Sequence, residues 1–125
     1  MKAVLIDSDI LIEVSRARDP DILARWEEIG GGEGVMLCSP VTIAELWHGA
    51  RPHEHKALGS LFGVMTAIPI DAEIGQRAGV YLKRYSKSHH VELGDALIAA
   101  TAAIHQVDLW TRNRKHYPMN DVTFY

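Results

Sequence analysis

Short apolar runs of three or four residues alternate along this chain with longer stretches whose apolar residues recur at helical spacing, and few folds accommodate that rhythm. Val4-Leu5-Ile6 and Val35-Met36-Leu37-Cys38 read as short buried strands, and residues 67–70, 108–111 and 122–124 repeat the pattern. Helices are expected between them over residues 8–16, 19–29, 40–50, 54–65, 72–87 and 93–106. Ile10, Leu11 and Val14 give the first helix one apolar face, with Ser8 or Asp9 as its cap, and Ile22, Leu23 and Trp26 do the same for the second. Ser39-Pro40 reads as a cap followed by the first helical residue. Strands joined through helical crossovers run parallel and are covered on both faces. The expected fold is therefore α/β, a three-layer sandwich with a central, mainly parallel sheet of four to five strands flanked by helices. A length of 125 residues suits one domain, residues 1–125.

The composition excludes several classes. With 47% hydrophobic and 23% charged residues the chain is not a disordered one. No apolar run approaches the ~20 residues of a membrane span. The first apolar run stops at Asp7, which is too soon for a secretory signal, so the expected location is the cytoplasm. Cys38 is the single cysteine, which rules out an internal disulfide and a cysteine-rich zinc site. The histidine pairs in His53-Glu54-His55 and His89-His90 lack a cysteine partner and are not expected to hold zinc. Gly30-Gly31-Gly32-Glu33-Gly34 lacks the spacing of a phosphate-cradling loop. Trp26, Trp47, Trp110, Tyr81 and Phe62 read as packing residues. A net charge of −3 argues against gripping nucleic acid through overall basicity, but it does not exclude a protein that holds metal ions with a few carboxylates.

Acids gather at one predicted edge. In open parallel sheets ligands bind beyond the carboxyl ends of the strands. Asp7 ends the first strand, Glu45 lies in the helix after the second, and Asp95 begins the very apolar helix of "GDALIAATAAI". Thr111 and Asn113 follow the fourth strand. Each acid alone also has a purely structural reading: Asp7 as a helix cap, Glu45 as a solvated helix residue, Asp95 as a helix-dipole partner. Carboxylates brought together repel unless a cation intervenes, and hard oxygen ligands select Mg²⁺ or Mn²⁺. An acidic divalent-metal site follows.

Four stretches, "VLIDSDILIE", "SPVTIAELWHGA", "GDALIAATAAI" and "LWTRNRKHY", occur in the order and at about the spacing of the PIN-domain ribonucleases, and the chain most closely resembles their VapC-type toxins. The resemblance implies a PIN-like fold and a metal-dependent endoribonuclease that acts as the toxin of a toxin–antitoxin pair. It matches Asp7, Glu45 and Asp95 to the family's three core acids, as both catalytic residues and metal ligands, with Mg²⁺ as cofactor and Mn²⁺ as substitute. Thr111 matches a hydroxyl position beside them. Asn113 stands where many members carry a fourth acid, a departure that removes one negative charge. Asp9 is a further supporting residue, as an outer partner of the site or as a cap. The resemblance also implies an RNA substrate, a homodimer, and a protein antitoxin that covers the active site. Arg112, Arg114, Lys115 and Arg16 are candidate phosphate contacts. Leu46, Trp47, Leu61 and Phe62 are candidates for a contact surface or for the core.

Two rival classes fit less of the chain. A haloacid-dehalogenase-like phosphatase would use "LIDSDIL" but needs an acid pair after a late strand, where this chain has Thr111-Arg112-Asn113-Arg114. A receiver-like signalling module needs a lysine after its fifth strand, which is missing here. A non-catalytic PIN module is the third alternative, raised by Asn113.

Overall fold

The structure is a computed structural model and describes residues 2–125. Strands β1 (Ala3–Ile6), β2 (Val35–Cys38), β3 (Thr66–Ala67) and β4 (Asp108–Trp110) form one sheet in the order β3-β2-β1-β4. Every pairing is parallel. Six helices supply the crossovers: α1 (Ser8–Arg16), α2 (Pro20–Gly31), α3 (Pro40–Gly49), α4 (His55–Gly63), α5 (Ala72–His89) and α6 (Leu93–His105).

Strand alternation builds two cores. Leu5, Leu37 and Leu109, in register across the sheet, face Ile74, Ala78 and Tyr81 of α5 and the alanines of α6. Val4, Ile6, Met36 and Trp110 point the other way, onto Ile10 and Leu11 of α1, Ile22 and Ile29 of α2, Leu46 and Leu58. The result is the expected three-layer arrangement, with α6 buried along most of its length, from Ala96 to Ala102 apart from the half-buried Leu97.

Several boundaries differ from those expected, each for a local reason. The 122–124 segment makes only an isolated bridge, Phe124 to Leu109, so the sheet has four strands. A tight turn returning Val122 to Met119 leaves just Thr123 and Tyr125 to bond the backbone of Leu109. β3 stops at Ala67 instead of reaching residue 70, and Pro69 just beyond it has no N–H to donate. The 54–65 helix is a 3₁₀ turn at Pro52–Glu54 followed by α4. α5 continues to His89 and ends where His90 turns left-handed, at φ 54°. Leu46 is a core residue, 8% exposed, whereas Trp47 is 39% exposed and Leu61 and Phe62 are half-buried. Asp7, rather than Ser8 or Asp9, is the N-cap of α1.

Candidate functional site

The site begins where β1 stops. Asp7 N–H donates to Trp110 O at 3.0 Å, extending the β1–β4 pairing by one step and setting Asp7 beside Thr111 at the carboxyl edge. Its side chain, 8% exposed, is engaged on both oxygens. Oδ1 accepts from Ser8 N–H at 2.8 Å, the α1 cap. Oδ2 accepts from Thr111 Oγ1 at 3.0 Å and from the Tyr117 hydroxyl at 2.8 Å. Thr111 Oγ1 in turn accepts from Asn113 N–H at 3.1 Å. Asp7 is thus both a cap and a site residue, so the two readings of it are not exclusive.

Ser39 caps α3 through Val41 N–H at 3.1 Å, and this helix presents Glu45 to the same edge. Ser8 Oγ donates to Glu45 Oε1 at 2.9 Å, so one serine joins the two acids, through its amide to Asp7 and its hydroxyl to Glu45. Asp95 stands in the first turn of α6, where Oδ2 accepts from Glu92 N–H at 3.3 Å and lies 4.0 Å from His116 Nδ1. Asp9 ties the strand-four loop down: Oδ1 accepts from Ile10 N–H and Oδ2 from Arg112 N–H, each at 2.9 Å.

These acids feel one another. Glu45 is raised from its ordinary value by burial, against the Ser8 hydrogen bond, and further by the charges of Asp7, Asp95 and Glu92. Asp95 is raised by burial and by Asp7 and Glu92, with the Glu92 N–H and His116 opposing. Asp9 is raised by burial and by Asp7. Burial and Asp7 push the Tyr117 phenol far up, so it stays a hydroxyl donor. Among the described residues no three His, Cys, Asp or Glu side chains are close enough together to share one ion as they stand. The donor chemistry nonetheless fits a hard divalent cation. The ligands are all oxygen, one Oδ1 lone pair of Asp7 is free, and Glu45 Oε2 and Asp95 Oδ1 accept no hydrogen bond among the described residues. Nothing basic except His116 lies within salt-bridge reach of the three acids among those residues.

The arginines divide. Arg112 and Arg18 share Glu13 Oε1, at 3.5 and 2.9 Å, on the rim of a hollow of about 190 Å³ lined by Asp9, Ile12, Glu13, Arg112 and Asn113. Arg114 lies over the Phe124 ring at 4.8 Å, and Lys115 is exposed in the 3₁₀ turn Arg114–His116. Arg16, at the far end of α1, is some two turns from the cap and does not join the acids. His55 packs on Trp47, and His89 on Tyr85. Sequence reasoning missed Ser8 as a bridge, His116 near Asp95, and Tyr117. The tyrosine and the histidine were visible in "LWTRNRKHY", but only the fold brings Tyr117 back across 110 positions to Asp7.

The PIN-domain family model matches residues 4–122, and the chain belongs to the PIN-domain family. It is 38% identical over 121 residues to the ribonuclease VapC10 of Mycobacterium tuberculosis, covering 93% of this chain and 86% of that protein. It is 33% identical over 116 residues to the ribonuclease VapC19 of the same organism, covering 92% of each. Among solved structures it resembles VapBC2 from Rickettsia felis bound to a promoter DNA fragment, with a TM-score of 0.82, 16% identity and 98% and 97% of the two chains aligned. PIN-domain ribonucleases of the VapC group depend on a divalent metal. Family membership sets the phosphatase and receiver readings aside.

Proposed function

We propose that this protein is an endoribonuclease dependent on Mg²⁺, or on Mn²⁺ in its place, and the toxin of a toxin–antitoxin pair. The observation that carries the reading is the group of Asp7, Glu45 and Asp95 at the carboxyl edge of a PIN-domain sheet, mutually repelling and, among the described residues, without basic partners beyond His116.

Asp7 and Asp95 would hold the cation, with Glu45 as a third ligand or as partner to the attacking water. When bound, a divalent ion acidifies a water and offsets charge on the phosphate and the leaving oxygen. The chain's own residues supply placement. Ser8 holds Glu45 at a fixed distance from Asp7, and Glu45 Oε2 is free to accept the proton of the attacking water. Its raised affinity for protons suits it to that task. The water oxygen bonds to phosphorus, the bridging P–O bond opens, and its electron pair leaves on the departing RNA oxygen. Asn113 joins this group through its backbone N–H, which donates to Thr111 Oγ1. Arg112 and Arg114 are proposed to meet flanking phosphates. A protein antitoxin covering the acidic cleft, and a homodimer, complete the proposal; the likeness to a VapBC complex supports the antitoxin as partner.

The test is cleavage of a cellular RNA pool by the wild type, Asp7→Asn and Asp95→Asn, each in Mg²⁺, Mn²⁺ and EDTA. Cuts by the wild type that vanish in EDTA and in both folded variants are expected. Equal cutting by a folded Asp95→Asn variant, or in EDTA, would sink the assignment.

A further inference from the structure

Tyr117 touches the site, yet the reaction above gives it no task. Its ring is 3% exposed and packs in the core under α5 and α6, so its place is fixed by the fold and not by the cleft. Its hydroxyl reaches Asp7 Oδ2 at 2.8 Å, the oxygen that also accepts from Thr111 Oγ1 at 3.0 Å. Oδ1 takes Ser8 N–H at 2.8 Å. An ionised carboxylate has about four lone-pair directions, and here three are filled by donors from three parts of the chain. What is left is one direction on Oδ1.

We infer that Tyr117 is a positioning residue which, with Thr111, closes Oδ2 of Asp7 and leaves Oδ1 as the single oxygen offered to a divalent cation. The inference rests on the reading of Asp7 as a metal ligand. Outer hydrogen bonds of this kind orient a ligand before the ion arrives, and their loss lowers metal affinity without removing a ligand. With the phenol gone, Oδ2 would keep one donor and a bare buried lone pair. The carboxylate could then turn, and each binding event would have to restore its orientation.

The test is Mn²⁺ binding, followed by electron paramagnetic resonance, for the wild type, Tyr117→Phe and Asp7→Asn, with melting temperatures taken in EDTA. Phenylalanine keeps the ring and removes only the hydroxyl. The expected result is Mn²⁺ affinity weakened about tenfold in Tyr117→Phe, and more severely in Asp7→Asn. Raising Mn²⁺ should return the Tyr117→Phe cleavage rate to within about twofold of wild type, a rescue that damaged packing would not show. Wild-type affinity in Tyr117→Phe, with binding lost in Asp7→Asn, overturns the role of Tyr117. Undiminished binding in Asp7→Asn overturns the metal reading beneath it. The wild type gives a second measure by proton NMR. The buried Tyr117 hydroxyl proton should persist through a Mg²⁺ titration, and its loss on binding would mean that Oδ2 turns to the ion, against the inference.

Discussion

Asp9, Glu45 and Asp95 are acids that take up a proton more readily in the folded chain than in the unfolded one. Their ordinary values are 3.8 for aspartate and 4.5 for glutamate, and the folded values lie above them. As pH falls from neutral, the folded state therefore takes up protons before the unfolded state does. Without metal, stability should rise as pH drops through the folded-state values and level off below the ordinary ones. Melting in EDTA from neutral pH down to the ordinary glutamate value of 4.5 checks this, with the midpoint expected to rise as pH falls. Added Mg²⁺ should shrink the difference, because a bound cation favours the charged forms. By the same logic Asp95→Asn, proposed to be inactive as a nuclease, should stabilise the metal-free protein by about 1 kcal/mol, or roughly 3–6 °C in melting temperature. Asparagine's oxygen can still accept from Glu92 N–H, so the cap need not be lost. That Asp7, Glu45 and Asp95 would face one edge was legible because Asp7 follows a readable strand and the other two lie in readable helices. Ser8, His116 and Tyr117 were not, because a hydroxyl or an imidazole gains its meaning here only from a neighbour distant in sequence.

The helices show what pattern alone can reach. Asp19-Pro20 and Ser39-Pro40 announced their helices correctly, since a capping side chain followed by a residue lacking N–H has few other uses. Three candidates stood at the start of α1, and Asp7 won because the β1–β4 pairing fixes its backbone one residue before the helix. Strand lengths were the weaker reading: pairing at 66–67 and at Phe124 depends on what the neighbouring strand offers, which no local run reveals. Two substitutions examine these elements. Ser39→Ala removes the 3.1 Å cap from a nearly buried position and should cost about 1 kcal/mol in denaturant unfolding. At Gly34, between α2 and β2, a methyl group would come within 2.9 Å of the Ile29 carbonyl oxygen. Backbone cannot yield as a side-chain tip does, so Gly34→Ala should cost about 1–3 kcal/mol on the same measurement.

Across the whole molecule, acids face the carboxyl edge while arginines stand at its rim, on a chain of net charge −3. Affinity for RNA would then come from a few local contacts and not from a general field. Replacing Arg112 and Arg114 together by alanine should weaken RNA binding across all sequences and reduce the log–log salt slope by about two, measured with a metal-free protein. An unchanged slope would remove both from the interface. The order of the sheet has one more consequence, and it concerns time. Asp7 is made early, but its neighbours Thr111 and Tyr117 belong to the closing stretch of the fold, and β4 must slot in beside β1 before they meet. A chain still being synthesised, with its early helices formed and its first acids already in place, lacks the donors that fix the Asp7 carboxylate until its last strand has docked. On the proposed function, a nascent chain would hold its cation less tightly than the finished protein does, and so would cut RNA less readily while it is still being made.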